Sequence, residues 1–180
     1  MNDKIVVYTD GSYKENLRIG GWAYAYFLSP SETNIAVAYG QVEADSSESI
    51  EIIAMIKAIA NIPSTKYEIE ILTDNLSVAN KFSHGDFQDK SMPEFVESFR
   101  GITLKNYKSW NRLIQIIKYT GRKVRIKKIK KGYGLNNIVH QAARIGLKCK
   151  NIKPGVFYLK QVDLSGFVES ADLDVELVNT

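Results

Sequence analysis

Two short segments of this 180-residue chain end in the same pair of residues. Ile5-Val6-Val7-Tyr8-Thr9-Asp10 and Ile69-Glu70-Ile71-Leu72-Thr73-Asp74 both run through mainly apolar and β-branched residues into Thr-Asp. Such runs read as buried strands, and each sets a carboxylate at the end of a rigid support. On neighbouring parallel strands, Asp10 and Asp74 would meet at one edge of a sheet. Like charges that close repel and call for cations between them. Either aspartate alone could be a turn or cap residue; the repetition of Thr-Asp favours the chemical reading.

A third acid strengthens it. Residues 50–60, from Ile50 to Ala60, are apolar nearly all round, which marks a buried helix. Glu51 is the only acid within them. A buried carboxylate is costly without compensation, so Glu51 is either a cation ligand or one half of an ion pair with a nearby lysine. Its neighbour Glu48 has a simpler reading. Asp45-Ser46-Ser47-Glu48 fits an N-cap residue with an acid three positions on, a capping box that stabilises the helix start.

The elements that must position these acids follow from apolar patterning and turn residues. Strands are expected at 4–10, 19–28, 33–42, 67–73 and 122–130, with helices at 46–61, 75–82, 105–120 and 135–148. Gly20-Gly21 opens the second strand, and Ser29-Pro30-Ser31-Glu32-Thr33-Asn34 marks a turn after it. Three meandering strands, a helix, then strands alternating with helices make a mixed sheet flanked by helices, α/β in class. Tyr24, Tyr26, Phe27 and Trp110 fall inside these elements and are read as core. Beyond Pro154-Gly155, Val156-Phe157-Tyr158-Leu159 and Leu173–Val178 could form short strands. The latter alternates apolar and acidic residues like a half-buried edge strand. The expected division is a domain over 1–150 with an extension over 151–180.

Charge is unevenly placed. Lys118, Arg122, Lys123, Arg125, Lys127, Lys128, Lys130 and Lys131 are eight cations among fourteen residues, with no acid between them. Residues 151–180 carry two lysines against five acids, a balance of −3, which leaves +7 of the net +4 on residues 1–150. A basic strip beside clustered carboxylates suits a polyanion whose phosphate must approach cations. It could also be a solvated strand face with Val124, Ile126 and Ile129 turned inward.

The chain has no run of eighteen apolar residues and so no expected membrane span. Met1-Asn2-Asp3-Lys4 leads straight into a strand, and no signal peptide is expected. The single Cys149 excludes an internal disulfide and fits a reducing compartment. A cytoplasmic monomer is the expectation.

Tyr8-Thr9-Asp10-Gly11-Ser12, Gly20-Gly21-Trp22-Ala23-Tyr24, Ile50-Glu51-Ile52-Ile53-Ala54 and Leu72-Thr73-Asp74-Asn75 together resemble successive motifs of type 1 ribonuclease H. Trp110-Asn111-Arg112-Leu113 and Val124-Arg125-Ile126-Lys127 resemble its Trp-bearing helix and last strand, and the match runs from about residue 4 to 147. The resemblance implies the five-stranded ribonuclease H-like fold and hydrolysis of the RNA strand of RNA–DNA hybrids. It implies two divalent ions, magnesium with manganese as a substitute, held by Asp10, Glu51 and Asp74. Gly11, Ser12, Ser47 and Asn75 would contact the hybrid, and Lys127, Lys128 and Lys130 its phosphates.

The pattern departs at the fourth ligand position, where the family has an acid and this chain has His140. With Asn136 or Asn137 as N-cap, His140 would lie in the first helical turn. The positive helix end would favour neutral imidazole there, able to ligate a metal. The preceding loop lacks the histidine the family often carries; Tyr133 stands nearest. The stretch Phe82–Arg100, which includes His84, is mixed in charge and lacks Trp, unlike the basic protrusion of some members. Competing readings are a non-catalytic nucleic-acid-binding module on this fold and a related metal nuclease acting on DNA.

Overall fold

A computed structural model describes residues 4–27, 35–62, 68–84, 93–94, 106–148 and 155–159. The elements are β1 (Lys4–Lys14), a 3-10 turn (Glu15–Leu17), β2 (Ile19–Phe27), β3 (Ile35–Glu43), α1 (Ser47–Asn61), β4 (Glu68–Thr73), α2 (Leu76–His84), α3 (Tyr107–Thr120), β5 (Val124–Lys128), α4 (Asn136–Lys148) and β6 (Gly155–Leu159). One mixed sheet runs β5-β4-β1-β2-β3-β6. β1, β2 and β3 form an antiparallel meander, whereas β4 and β5 add in parallel beyond β1. The five expected strands are therefore present, and β6 adds a sixth, antiparallel to β3. Leu173–Val178, Cys149 and the turn at 29–34 lie outside the described residues. His84 closes α2; its side chain and the stretch to Arg100, apart from residues 93–94, also lie outside them. No described helix is long and apolar enough to cross a membrane.

Two apolar layers sandwich the sheet. On one face α1 crosses β1 and β2, with α2 and α3 packed against it. Trp22, Tyr24 and Tyr26 stack along β2 beneath it, and Trp110 of α3 is wholly buried. On the other face α4 lies across β1, β2 and β3. Small residues there, Ala23 and Ala25, let the helix approach closely. The approach is tightest at Gly21, where an added Cβ would collide with the Ala143 carbonyl oxygen; Gly146 also comes close to β3, an added Cβ lying 2.7 Å from the Gly40 carbonyl oxygen. Phe27, read as core, instead ends β2 with 40% of its surface exposed.

The helix start at α1 differs from the expected capping box. Ser46, not Asp45, is the N-cap, and its hydroxyl accepts the Ser49 backbone N–H. Asp45 turns out to pair with Arg18. Glu48 lies one position short of the capping-box site and spans to other helices. It accepts from Lys81 Nζ at 2.6 Å, Ser77 Oγ at 3.0 Å, Asn106 Nδ2 at 3.2 Å and Trp110 Nε1 at 3.3 Å. At the other end of α1, the buried Arg122 donates to the carbonyls of Ile59 and Ile62. These are the carbonyls a helix C-terminus leaves without partners. Arg122 is thus a structural cation and leaves the basic strip.

Candidate active site

β1 does not stop at Asp10, as expected, but continues to Lys14. Its parallel pairing with β4 ends at Tyr8↔Leu72, while its antiparallel pairing with β2 continues through Asp10↔Ala23 to Lys14↔Ile19. Asp10 therefore sits where one side of a central strand has lost its neighbour. The same register carried two residues further sets Asp10 level with Asp74, just past the end of β4. α1 supplies the third acid from above. Ligand oxygens of Asp10, Glu51 and Asp74 lie within 4.8 Å of one another.

The crossing of β1 under α1 is close. A Cβ on Gly11 would stand 2.8 Å from Ile50 Cγ2 and 2.9 Å from the Glu51 backbone nitrogen. Glycine is what allows Glu51 to reach the strand. Asp10 retains 3% of its surface and Glu51 6%. Burial raises the Asp10 pKa, opposed by its hydrogen bond to His140 and reinforced by the charge of Asp74. Glu51 is held well above the usual carboxylate range by burial, then by the charges of Asp10 and Asp74 and a hydrogen bond to Asp10. Its Oε2 is buried without a hydrogen-bond partner among the described residues. An orphaned carboxylate oxygen beside two further carboxylates fits a divalent cation, which would supply the missing contact and cancel the repulsion. The lysine ion pair considered for Glu51 is absent among the described residues.

His140 reaches this cluster. Its Nδ1 lies 2.7 Å from Asp10 Oδ2, and its side chain is 40% exposed against 5% for Asp10. It is the fifth residue of α4, past the first turn where a helix dipole acts most strongly. The first-turn position expected for His140 is therefore not met, and its direct contact is with Asp10. Ionised Asp10 can only accept, so the bond is Nδ1–H donating to Oδ2.

The other candidates divide. Ser12 is half-buried and Ser47 exposed at the start of α1. Asn75 caps α2, its Oδ1 accepting from Val78 N at 3.1 Å. Lys127, Lys128 and Lys130 are exposed, and Val124 and Ile126 point inward as the alternation suggested. The strip is less free than its sequence implies. Lys127 lies 2.6 Å from Glu70 Oε1, and Glu70 also takes Lys4 at 2.9 Å. Lys123 and Arg125 share Glu68. Glu70 loses ordinary basicity despite its burial, because Lys127 and Lys4 hold it ionised. Lys128, Lys130 and Lys131 have no ion pair among the described residues. The alternation Glu68-Ile69-Glu70-Ile71 matches Val124-Arg125-Ile126-Lys127 on the paired strand, a cross-strand signal readable in sequence. The contacts of Gly11 and of His140 with Asp10 had no comparable local signal.

Three carboxylates gathered on a central strand, just past the end of its parallel neighbour and on a crossing helix form a group that could hold a metal ion at one edge of a mixed α/β sheet. The RNase H family model matches residues 2–148, and the chain belongs to the ribonuclease H family, whose activity is hydrolysis of the RNA strand of RNA–DNA hybrids. It is 27% identical over 148 residues to a ribonuclease H of Syntrophomonas wolfei subsp. wolfei, covering 81% of this chain and 97% of the relative. Among solved structures it resembles LC9-RNase H1, described as a type 1 RNase H with the type 2 active-site motif. That match has a TM-score of 0.65 at 13% identity, over 87% of this chain and 78% of that one. RNase H1 from the halophilic archaeon Halobacterium salinarum NRC-1 matches at TM-score 0.54 and 15% identity, over 81% of this chain and 98% of that one. At such identities the likeness is of fold.

Proposed function

We propose that this protein cleaves the RNA strand of RNA–DNA hybrids with Asp10, Glu51 and Asp74 holding two divalent cations, magnesium in the first instance, and His140 supporting Asp10. The observation that carries the reading is the buried Glu51 carboxyl, its pKa pushed up and its Oε2 without a partner among the described residues, close to two aspartates. The cations, when bound, supply the charge that activates the attacking water and stabilises the departing oxygen. Attack at phosphorus breaks the P–O3′ bond and leaves 5′-phosphate and 3′-hydroxyl ends. Asp10, on the central strand, faces both Glu51 and Asp74 and is the residue able to serve both cations. His140 donates to Oδ2 of Asp10 and fixes the orientation of that carboxylate, as hydrogen-bonded supports of metal ligands do. Lys128 and Lys130 draw in the phosphate backbone. Gly11, Ser12 and Asn75, adjoining Asp10 and Asp74 in sequence, and Ser47, one turn before Glu51, would contact 2′-hydroxyls, which would distinguish RNA from DNA.

The test is incubation with end-labelled hybrid, double-stranded RNA and double-stranded DNA, with magnesium and with chelator. Cleavage confined to the RNA strand of the hybrid, lost in chelator and in Asp10→Asn, is expected. Hybrid binding without cleavage by the wild-type protein would leave a binding module on this fold, and cleavage of duplex DNA would make it a DNA nuclease.

A further inference from the structure

Lys130-Lys131-Gly132-Tyr133-Gly134 joins β5 to α4, and its tyrosine ring is 60% exposed. Large aromatic side chains are usually drawn into a core; this one is held outside it by its backbone. Gly132 and Gly134, on either side, both have left-handed backbone, φ +81° and +57°. The Tyr133 N–H donates to the Lys130 carbonyl at 3.1 Å, and its own carbonyl accepts from Asn136 N at 3.1 Å. Asn136 Oδ1 in turn accepts from Gly132 N at 2.7 Å. The loop is therefore tied down at three points while the ring between them faces solvent. It is also tied to the active site. Gly134 packs over the hydroxyl of Tyr8, where a Cβ would not fit. Tyr8 is two residues before Asp10 on the same strand, and His140 extends from the helix this loop begins.

An exposed aromatic ring on a tied backbone, preceded by two cations without acidic partners among the described residues, has a specific chemical complement. A ring face stacks on a nucleobase whatever its identity, and lysines follow the backbone. The bases of a paired hybrid are already stacked inside the duplex. Only an unpaired base can offer its face to a ring on a surface loop. We infer that Tyr133, with Lys130 and Lys131, forms a stacking platform for an unpaired nucleotide where a single strand leaves the hybrid, so that tailed hybrids are favoured over blunt ones. The inference rests on the proposed hybrid substrate and adds to it a class of substrate end.

Binding is measured by fluorescence anisotropy in the Asp10→Asn background, on a blunt hybrid and on the same hybrid with a short DNA or RNA tail at either end. Wild-type at Tyr133 should bind at least one tailed form about 5-fold or more tightly than the blunt one, the lower end of what one base–aromatic stack supplies. Tyr133→Phe should keep that ratio, and Tyr133→Ala should bring it close to one. 2-Aminopurine at the first unpaired position should be quenched on binding, and the quench should be lost in Tyr133→Ala. Thermal melting checks that the variants remain folded. A tail preference that survives Tyr133→Ala, or no preference in its presence, overturns the platform. Failure to bind the blunt hybrid at all would overturn the hybrid reading beneath it.

Discussion

Glu51 offers the sharpest test, because its strain can be read in stability as well as in rate. In the metal-free folded protein its carboxyl is buried against Asp10 and Asp74 and has its pKa raised well above the ordinary value. In the unfolded chain it ionises near pH 4.3. Between those two values the native state binds one more proton than the unfolded state. Stability therefore falls as pH rises through this window, by about 1.4 kcal/mol per pH unit for one proton. For a domain of this size that is roughly 3–6 °C in Tm per pH unit. Asp10, also raised, acts in the same direction. Glu51→Gln carries no such proton. In chelator, its Tm should fall less steeply from pH 5 to 8, and it should exceed wild-type at the alkaline end. Magnesium should reverse the order, since cations bind the ionised cluster and stabilise the wild-type fold by mass action. The assay is thermal melting of both proteins across that range, in chelator and in magnesium. Parallel Tm–pH profiles in chelator would refute the account of Glu51 as a strained carboxyl poised for metal.

Glu48→Ala should lose about 1–3 kcal/mol, the cost of removing a half-buried ionised acceptor from Lys81, Ser77, Asn106 and Trp110, while its kcat at saturating magnesium stays near wild-type; a collapse of kcat with unchanged stability would move Glu48 into the site. Lys128→Ala and Lys130→Ala should each reduce the salt slope of hybrid binding by about one unit, and Lys127→Ala by less, because Glu70 already neutralises it; equal effects in all three would argue that the Glu70 pair opens on binding. His140→Ala should slow cleavage about 10–100-fold, as loss of a ligand's support does, whereas His140→Asp should stay active; a wild-type rate for His140→Ala would reduce the contact with Asp10 to packing.

How far the fold could be read from sequence depended on whether its signals were local. The apolar runs of β1, β4 and α1 and the alternation of β5 carry their own periodicity, and these elements appear within a few residues of the expected positions. The misreadings share one cause. Asp45 and Glu48 fit a capping box by spacing, but Lys81, Ser77, Asn106 and Trp110 come from α2, α3 and the N-cap of α3, and together they offer Glu48 more than a single backbone N–H can. Arg122 reads as one more cation in a strip, yet the open carbonyls at the end of α1 claim it. The strip itself reads as unopposed because its acids, Glu68 and Glu70, lie more than fifty residues earlier and arrive only through strand pairing.

The site obeys the same division. Asp10 and Asp74 were legible because strand register alone sets them level, and Glu51 because an acid in an apolar helix has few uses. What sequence could not supply was the environment that turns three carboxylates into one cluster. Gly11 reads as part of a turn, and its role appears only when α1 passes close enough that a methyl group would collide with Ile50 and the Glu51 backbone. The extension of β1 past Asp10 works in the same way: pairing with β2 keeps the strand rigid while loss of β4 opens the side from which the proposed cations would enter. His140 completes the argument. Its place in sequence suggests a ligand by analogy, but its geometry makes it first a partner of Asp10. A histidine donor there holds the Asp10 carboxylate without adding a fourth carboxylate to a buried cluster in which Glu51 is already pushed up by burial and by Asp10 and Asp74. The expected consequence is weaker attraction for cations than four acids would have, and so a higher magnesium concentration for half-maximal activity than His140→Asp should need.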